Sequence, residues 1–199
     1  MKVRIEKSFD IAASPQVTWE LLNDLEATAT CMPGAKITER IDATHYKGAV
    51  TVKVGPATLS FRGDIEVLDV DPAARSLRLL GKGTDTTGSS AASMDLSARV
   101  EAAEGGGSKL VGATDTTMSG KAAAFGGRLM NSVADQILEQ FAANFAERAA
   151  ARSAPPSAGA GAGAATPTAP AAPQELDGLA LAWAVFKNWL RGLFSKKAA

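Results

Sequence analysis

The sequence predicts an α+β protein in which one strongly curved antiparallel sheet is covered by a single long amphipathic helix. Alternation of apolar and polar residues, with a period of two, dominates residues 45–119. After it, residues 121–151 carry apolar side chains three or four positions apart, which is helical spacing. The apolar sheet face and the apolar helix stripe can bury each other, and such an arrangement can leave an apolar cavity between them.

The individual elements follow in order along the chain. A first strand is predicted over residues 3–11, where apolar side chains alternate. Ser14 and Pro15 predict the start of a short helix, as an N-cap residue followed by proline in the first turn. About six antiparallel strands then precede the long helix. The series begins after Pro33-Gly34. Its strands are expected over 46–54 and 59–67, and near 76–85, 88–103 and 108–119.

The composition argues against several functions. Twenty-one basic and 21 acidic residues give a net charge of zero, which argues against a nucleic-acid partner. A single cysteine, Cys31, allows no intramolecular disulfide and no cysteine-based zinc site. With a single histidine, His45, most catalytic triads that depend on histidine are excluded. No catalytic residue and no metal site are predicted; Cys31 is expected to be a small buried residue and His45 an exposed one.

A change of composition after Arg152 divides the chain. Residues 153–173 consist only of Ala, Pro, Gly, Ser and Thr, which predicts a disordered linker because such residues have little apolar surface to bury. Apolar residues return after it. The predicted organisation is a folded domain over 1–152, a linker over 153–175 and an amphipathic helix over 176–197.

The C-terminal segment has the pattern of a helix that lies in a membrane interface. On a helical wheel its apolar residues cover about half of the circumference. A spanning helix would bury Lys187, Asn188 and Arg191, so we expect an interfacial helix with tryptophan at the headgroup level. The alternative is packing on the folded domain or on a protein partner. The predicted membrane-binding residues are Leu179, Trp183, Phe186, Trp189, Leu190, Leu193, Phe194, Lys196 and Lys197.

The strand parity and the helix stripe also predict the lining of the cavity. Methionine adapts to irregular ligands, and Thr114, Thr116 and Ser93 could supply the few polar groups that such pockets contain. Glycines such as Gly112 would leave room beside them. The alternative is that these residues form an ordinary filled core. The predicted ligand-binding residues are Tyr46, Val52, Phe61, Leu79, Met94, Thr116, Met118, Phe125, Leu129, Met130 and Val133.

Several motifs carry a resemblance to a known family. They are Cys31-Met32-Pro33-Gly34, the run from Tyr46 through Val54-Gly55-Pro56 to Phe61 and Gly63, Gly81-Lys82-Gly83 with Gly88, and Gly120-Lys121 through Gly126. With the order of elements, they make residues 1–150 similar to the helix-grip fold of the START/Bet v 1-like superfamily. More specifically, the sequence resembles the carbon monoxide dehydrogenase G-subunit family.

This resemblance implies a non-catalytic accessory protein. Such a protein recruits a molybdenum-containing hydroxylase, of the carbon monoxide dehydrogenase type, to the cytoplasmic membrane. It binds a respiratory quinone (ubiquinone or menaquinone) in the cavity, which links the enzyme to the respiratory chain. The implied partners are this enzyme complex, membrane lipids and the quinone, with no covalently bound cofactor.

The expected location is the cytoplasm, with peripheral attachment to the inner face of the cell membrane. The charged N-terminal residues do not form a secretory signal, and no uninterrupted apolar run is long enough to span a bilayer. Two alternatives remain open for the function. One is a pure membrane scaffold without ligand, and the other is a cyclase or aromatase-type enzyme that would use Tyr46, Asp115 or a threonine as acid–base group.

Overall fold

The computed structural model of the protein describes residues 1–153, and these contain one antiparallel sheet and three α-helices. Two 3₁₀ turns, Glu104–Gly106 and Lys121–Phe125, flank the last strand. The elements are β1 (Lys2–Ile11), α1 (Pro15–Asn23), α2 (Leu25–Cys31), β2 (Ala35–Arg40), β3 (His45–Val54), β4 (Ala57–Asp71), β5 (Ser76–Asp85), β6 (Ser90–Ala102), β7 (Ser108–Gly120) and α3 (Gly127–Ser153).

The seven strands are arranged in the order β1-β7-β6-β5-β4-β3-β2. From β2 to β7 each strand is a neighbour of the next along the chain, and β1 joins the end of this meander beside β7. Every pair is antiparallel. The predicted fold class, a curved antiparallel sheet combined with a long C-terminal helix, is confirmed.

The two short helices begin where local side chains cap them. Ser14 accepts a hydrogen bond from the backbone N–H of Val17 at 3.3 Å, and Pro15 occupies the first turn of α1, as predicted. Asp24 does the same for α2 by accepting from the N–H of Ala27 at 3.0 Å. These caps fix the reversal of the chain between β1 and β2.

The strand register defines which side chains share a face of the sheet. Residues that pair across an antiparallel ladder point to the same side. One such row runs from β3 to β1 through Tyr46, Ile65, Gly81, Met94, Thr116 and Val3. Leu77 and Leu110 belong to the same side and pack in one core cluster with Phe145 of α3. We call this helix-covered side the inner face and the opposite side the outer face.

Three glycines lie side by side in the middle of the inner face. Gly48, Gly63 and Gly83 occupy paired positions on β3, β4 and β5. A Cβ atom on Gly63 would collide with the carbonyl oxygen of Lys82 and lie 2.5 Å from the Cα of Gly83. The backbones therefore approach so closely that only hydrogen fits, and a row without side chains lets the sheet bend sharply there.

The long helix begins later than its apolar spacing predicts. Residues 121–125 form a 3₁₀ turn, and α3 starts at Gly127. Gly120 (φ 70°) and Gly126 (φ 77°), which flank the turn, have positive φ with extended ψ, a conformation that is open to glycine and that does not continue a helix. Phe125, predicted to lie on the long helix, therefore precedes it.

The close approach at Gly63 generates a stability prediction. We expect Gly63→Ala to lower the free energy of unfolding by about 1–3 kcal/mol, because the new methyl group meets backbone atoms that cannot rotate away. The measurement is chemical denaturation followed by circular dichroism. Gly81→Ala is the matched control, since a Cβ there would meet only Met94, at 3.7 Å or more. Equal stability of both variants would contradict the proposed backbone contact.

Candidate functional site

The two halves of α3 differ in how they pack. In the second half, residues 141–153, Phe141, Phe145 and Ala149 are buried, and the two phenylalanine rings lie 5.5 Å apart. In the first half, residues 127–140, no side chain is buried, and Leu129 is 39% exposed. The helix is therefore part of a filled core at its C-terminal end only.

Three polar side chains attach the second half of α3 to the short helix α2. Asn144 donates to the carbonyl oxygen of Cys31 at 2.9 Å, and Arg148 donates to the hydroxyl of Thr30 at 2.6 Å. Arg152 forms an ion pair with Asp24, the α2 cap, at 2.7 Å. The backbone N–H of Ala27 and the Arg152 guanidinium together hold the pKa of Asp24 below its usual value. This end of the helix is fixed.

The buried core fills the space around that fixed end. It brings the second half of α3 together with α1, α2 and the ends of several strands. Cys31 is 1% exposed, as predicted, and burial raises the pKa of its thiol. The buried cluster consists of Ile11, Ala13, Trp19, Leu21, Leu22, Cys31, Leu77, Ala98, Val100, Leu110, Phe141, Phe145 and Ala149.

At the other end, the inner face is apolar but only half-buried. Val52, Phe61 and Ile65 all retain partial solvent exposure, and Met94 is 36% exposed. Large apolar side chains are left this accessible when nothing among residues 1–153 fills the space beside them. We call the space bounded by this part of the inner face and the first half of α3 the cleft.

The predicted ligand-binding residues differ in position and burial, and Leu129, 16 residues before the buried Phe145, is on nearly the opposite side of α3. The strand residues among them lie on the inner face, where Tyr46 and Met118 are buried and the others are partly accessible. Leu129, Met130 and Val133 belong to the first half of α3, and Phe125 lies in the preceding 3₁₀ turn. That these side chains contact a ligand stays a prediction.

Two further predicted cleft residues are on the wrong side of the sheet. Ser93 pairs with Thr117, the neighbour of the inner-face Thr116, so both point outward. Asp115 is also on the outer face, with its side chain 68% exposed and 3.8 Å from Arg4. Neither can act inside the cleft, because successive residues of a strand point to opposite faces.

The cleft also contains an ion pair that the sequence prediction missed. Lys7 is an inner-face residue of β1, and its Nζ lies 2.8 Å from Oδ1 of Asp135 in the first half of α3. The hydrogen bond to Asp135 raises the pKa of Lys7, so the ammonium stays charged. The sequence did contain a signal for it: Lys7 stands between Ile5 and Phe9, at a position where the alternation of β1 calls for an apolar residue.

The remaining polar groups of the inner face have distinct roles. Thr114 and Thr116 place their hydroxyl oxygens 3.4 Å apart. Asp85 is buried and accepts hydrogen bonds from Thr87 and from the backbone and side chain of Ser89. Although burial opposes ionisation, these bonds keep the pKa of Asp85 below its usual value, and the carboxylate stabilises the β5–β6 turn.

His45, in contrast, lies outside the cleft. It is exposed, as predicted, at the start of β3, and its Nδ1 lies 3.0 Å from the Asp42 carboxylate. Backbone and side-chain hydrogen bonds from Thr44 and His45 hold the pKa of Asp42 far below its usual value. This group stabilises the β2–β3 turn.

The membrane-binding residues predicted between Leu179 and Lys197 lie outside the described residues, as do the predicted linker and the C-terminal helix. Within residues 1–153, none of the helices has the length and hydropathy that a membrane span requires.

A curved seven-stranded antiparallel sheet, a long C-terminal helix and an apolar cleft between them define the helix-grip proteins of the START/Bet v 1-like class. A conserved protein from Geobacillus kaustophilus has a similar structure, with a TM-score of 0.67 and 21% identity over 75% of this chain and 96% of that one. The Zhui aromatase/cyclase from Streptomyces sp. R1128 gives a TM-score of 0.56 and 17% identity, over 76% and 96% of the two chains. A START superfamily protein from Mycobacterium smegmatis has a TM-score of 0.52 and 16% identity, over 74% of this chain and 97% of that one.

The sequence identifies the family within this class. Residues 8–150 match the family model of the carbon monoxide dehydrogenase G subunit (CoxG), and the chain belongs to that family. Comparison with curated proteins gave no match. The resemblance inferred from the motifs is thereby confirmed.

The unequal packing of α3 predicts that its two halves contribute differently to stability. Phe145→Ala should lower the free energy of unfolding by about 3–5 kcal/mol, because it leaves a cavity in a filled core. Leu129→Ala, on the same helix, should change it by less than about 1 kcal/mol. Both values come from urea denaturation of the full chain. A loss at Leu129 as large as that at Phe145 would contradict the unequal packing of the two halves of α3.

Proposed function

We propose that this protein is a non-catalytic accessory protein of a molybdenum-containing hydroxylase of the carbon monoxide dehydrogenase type. It holds a respiratory quinone in the cleft and keeps the enzyme at the cytoplasmic membrane. The observation that carries the proposal is the contrast within α3: one half closes a core, and the other half faces an apolar surface with no buried residue of its own.

An apolar ligand is the occupant that this surface favours. Each Å² of apolar surface removed from water is worth about 25 cal/mol, so a molecule that covers the partly exposed cleft residues gains binding free energy from them. Met94 and Met130, one on each side of the cleft, have flexible side chains that can follow a flat ring as well as a floppy tail. A quinone with an isoprenoid tail has both parts.

The family supports the choice of a quinone and of the partner enzyme. Oxidation of carbon monoxide with one water molecule to carbon dioxide releases two electrons and two protons, and a quinone accepts the same number to become a quinol. An accessory protein that carries a quinone would therefore bring the electron acceptor to the enzyme. The family name is the basis for this partner.

The polar groups of the inner face support holding a ligand rather than converting it. An enzyme of the cyclase type needs a positioned acid or base beside its substrate. Asp85 is engaged by Ser89 and Thr87, and Lys7 is paired with Asp135. Asp115 lies on the outer face.

Attachment to the inner face of the membrane rests on the sequence of the C-terminal segment. Its tryptophans, Trp183 and Trp189, suit the headgroup level, and Lys196 and Lys197 suit anionic lipid. The linker before it would let the folded domain reach an enzyme while the segment stays at the bilayer. A scaffold without ligand would use the same segment, so ligand content is the property that separates the two functions.

The first test is the ligand content of protein isolated from its native membranes. We expect solvent extraction and mass spectrometry to find quinone with the wild-type chain and at least tenfold less with Met94→Glu, because a charge in the cleft opposes an apolar ligand. Ser93→Glu is the matched control, since the neighbouring side chain is on the outer face. If no quinone is found with the wild-type protein, the quinone proposal is contradicted and the scaffold without ligand is the function that agrees with the result.

The second test addresses the membrane. Deletion of residues 174–199 should release the protein from vesicles that contain anionic lipid, because it removes the apolar face and the basic end of the predicted helix. Vesicle flotation measures the bound fraction, and the double substitution Trp183→Ala/Trp189→Ala should reduce it without a change of charge. Unchanged binding after the deletion would exclude the segment as the attachment.

A further inference from the structure

We infer that the cleft has a polar subsite on its β1–β7 side, formed by Thr114, Thr116 and Lys7, for the hydrogen-bond-accepting oxygen of a neutral, otherwise apolar ligand. This inference rests on the proposed function, because it concerns the ligand that occupies the same cleft.

The two threonines are polar groups on an apolar face. On β7 they are paired with Val3 and Ile5 of β1 on one side, and with Met94 and Leu96 of β6 on the other. Valine has the same branched shape as threonine and would fit such neighbours without the cost of placing a hydroxyl among apolar groups. The hydroxyls therefore have no packing role that valine could not fill.

Their mutual hydrogen bond leaves donor capacity unused. The oxygens are 3.4 Å apart, which is long for a hydroxyl–hydroxyl bond. Two hydroxyls contain two donor protons, and one bond between them uses one. Among residues 1–153 no other side-chain partner of Thr114 or Thr116 is found, so one proton can be donated to a ligand in the cleft.

Lys7 continues this line of donors. It pairs with Gly112, which is one inner-face position, about 7 Å, beyond Thr114 on the same strand. Its ammonium donates to Asp135, and an ammonium has three N–H groups. Gly112 contributes no side chain, and a Cβ atom there would meet no atom within 4 Å, so there is space beside Lys7.

The charge balance selects the class of ligand. Asp135 neutralises Lys7, so the subsite has hydrogen-bond donors but no free positive charge for a carboxylate or phosphate. A carbonyl oxygen accepts hydrogen bonds without a charge. The subsite therefore suits the head of a quinone or another neutral carbonyl compound rather than a fatty acid.

The test uses the full chain and two probes of similar apolar character, decylubiquinone and decylbenzene, of which only the first has carbonyl oxygens. Equilibrium dialysis measures the affinity for each. The double substitution Thr114→Val/Thr116→Val should weaken binding of decylubiquinone about tenfold, as expected for lost hydrogen bonds, and leave decylbenzene unchanged. Thr117→Val, an exposed outer-face neighbour, is the matched control and should bind both probes as the wild type does.

A second variant tests the space beside Lys7 without changing a hydroxyl. Gly112→Val should fill it and weaken binding of decylubiquinone, whereas Ala113→Val, on the outer face, should not. Unfolding midpoints of all variants confirm that they are folded. If the threonine variant binds decylubiquinone as tightly as the wild type, the subsite is overturned and the proposed function stands. If the wild type binds neither probe, both the polar subsite and the proposed ligand-binding function are contradicted.

Discussion

The fixed attachment of α3 at one end is the constraint on which the site depends. Phe145 is fully buried in the core, and Asn144, Arg148 and Arg152 tie the same end to α2 and its cap. A row of glycines that includes Gly63 brings the backbones of neighbouring strands close together and lets the inner face curve. The second half of α3 is part of the filled core, whereas the first half, although joined to β1 by Lys7 and Asp135, buries none of its own side chains, and the cleft lies beside it.

This arrangement divides the molecule into a part that provides stability and a part that can bind. Partly exposed apolar residues such as Met94 and Leu129 contribute less to folding than they would in a filled core. The core around Trp19 and Phe145 provides the burial that the cleft lacks. A ligand that covers the cleft would add to the stability of the folded state, because it binds the folded chain only.

Local sequence patterns predicted most of the fold and part of the site. The period of two placed residues such as Tyr46 and Leu79 on the inner face, and it contained enough information to exclude Ser93, whose neighbour Met94 is on that face. Helical spacing could not indicate that Gly126 would delay the start of α3, since the cause is a positive φ at a glycine, which the apolar pattern does not contain. The attachment by Arg152 joins residues 128 positions apart, and no local pattern contains such a pairing.

The shared fold does not transfer the chemistry of its members, because function resides in the side chains placed on it. An aromatase/cyclase has a similar sheet and helix. Within residues 1–153, three charged side chains of the inner face have identified contacts: Lys7 is matched by Asp135, Asp85 is surrounded by donors from its own turn, and the Arg40 guanidinium lies over the Tyr46 ring. Paired charges and threonine hydroxyls can orient a neutral molecule through hydrogen bonds. The proposed function needs only this orienting role, because a protein that holds a ligand has to fix its position and not to react with it.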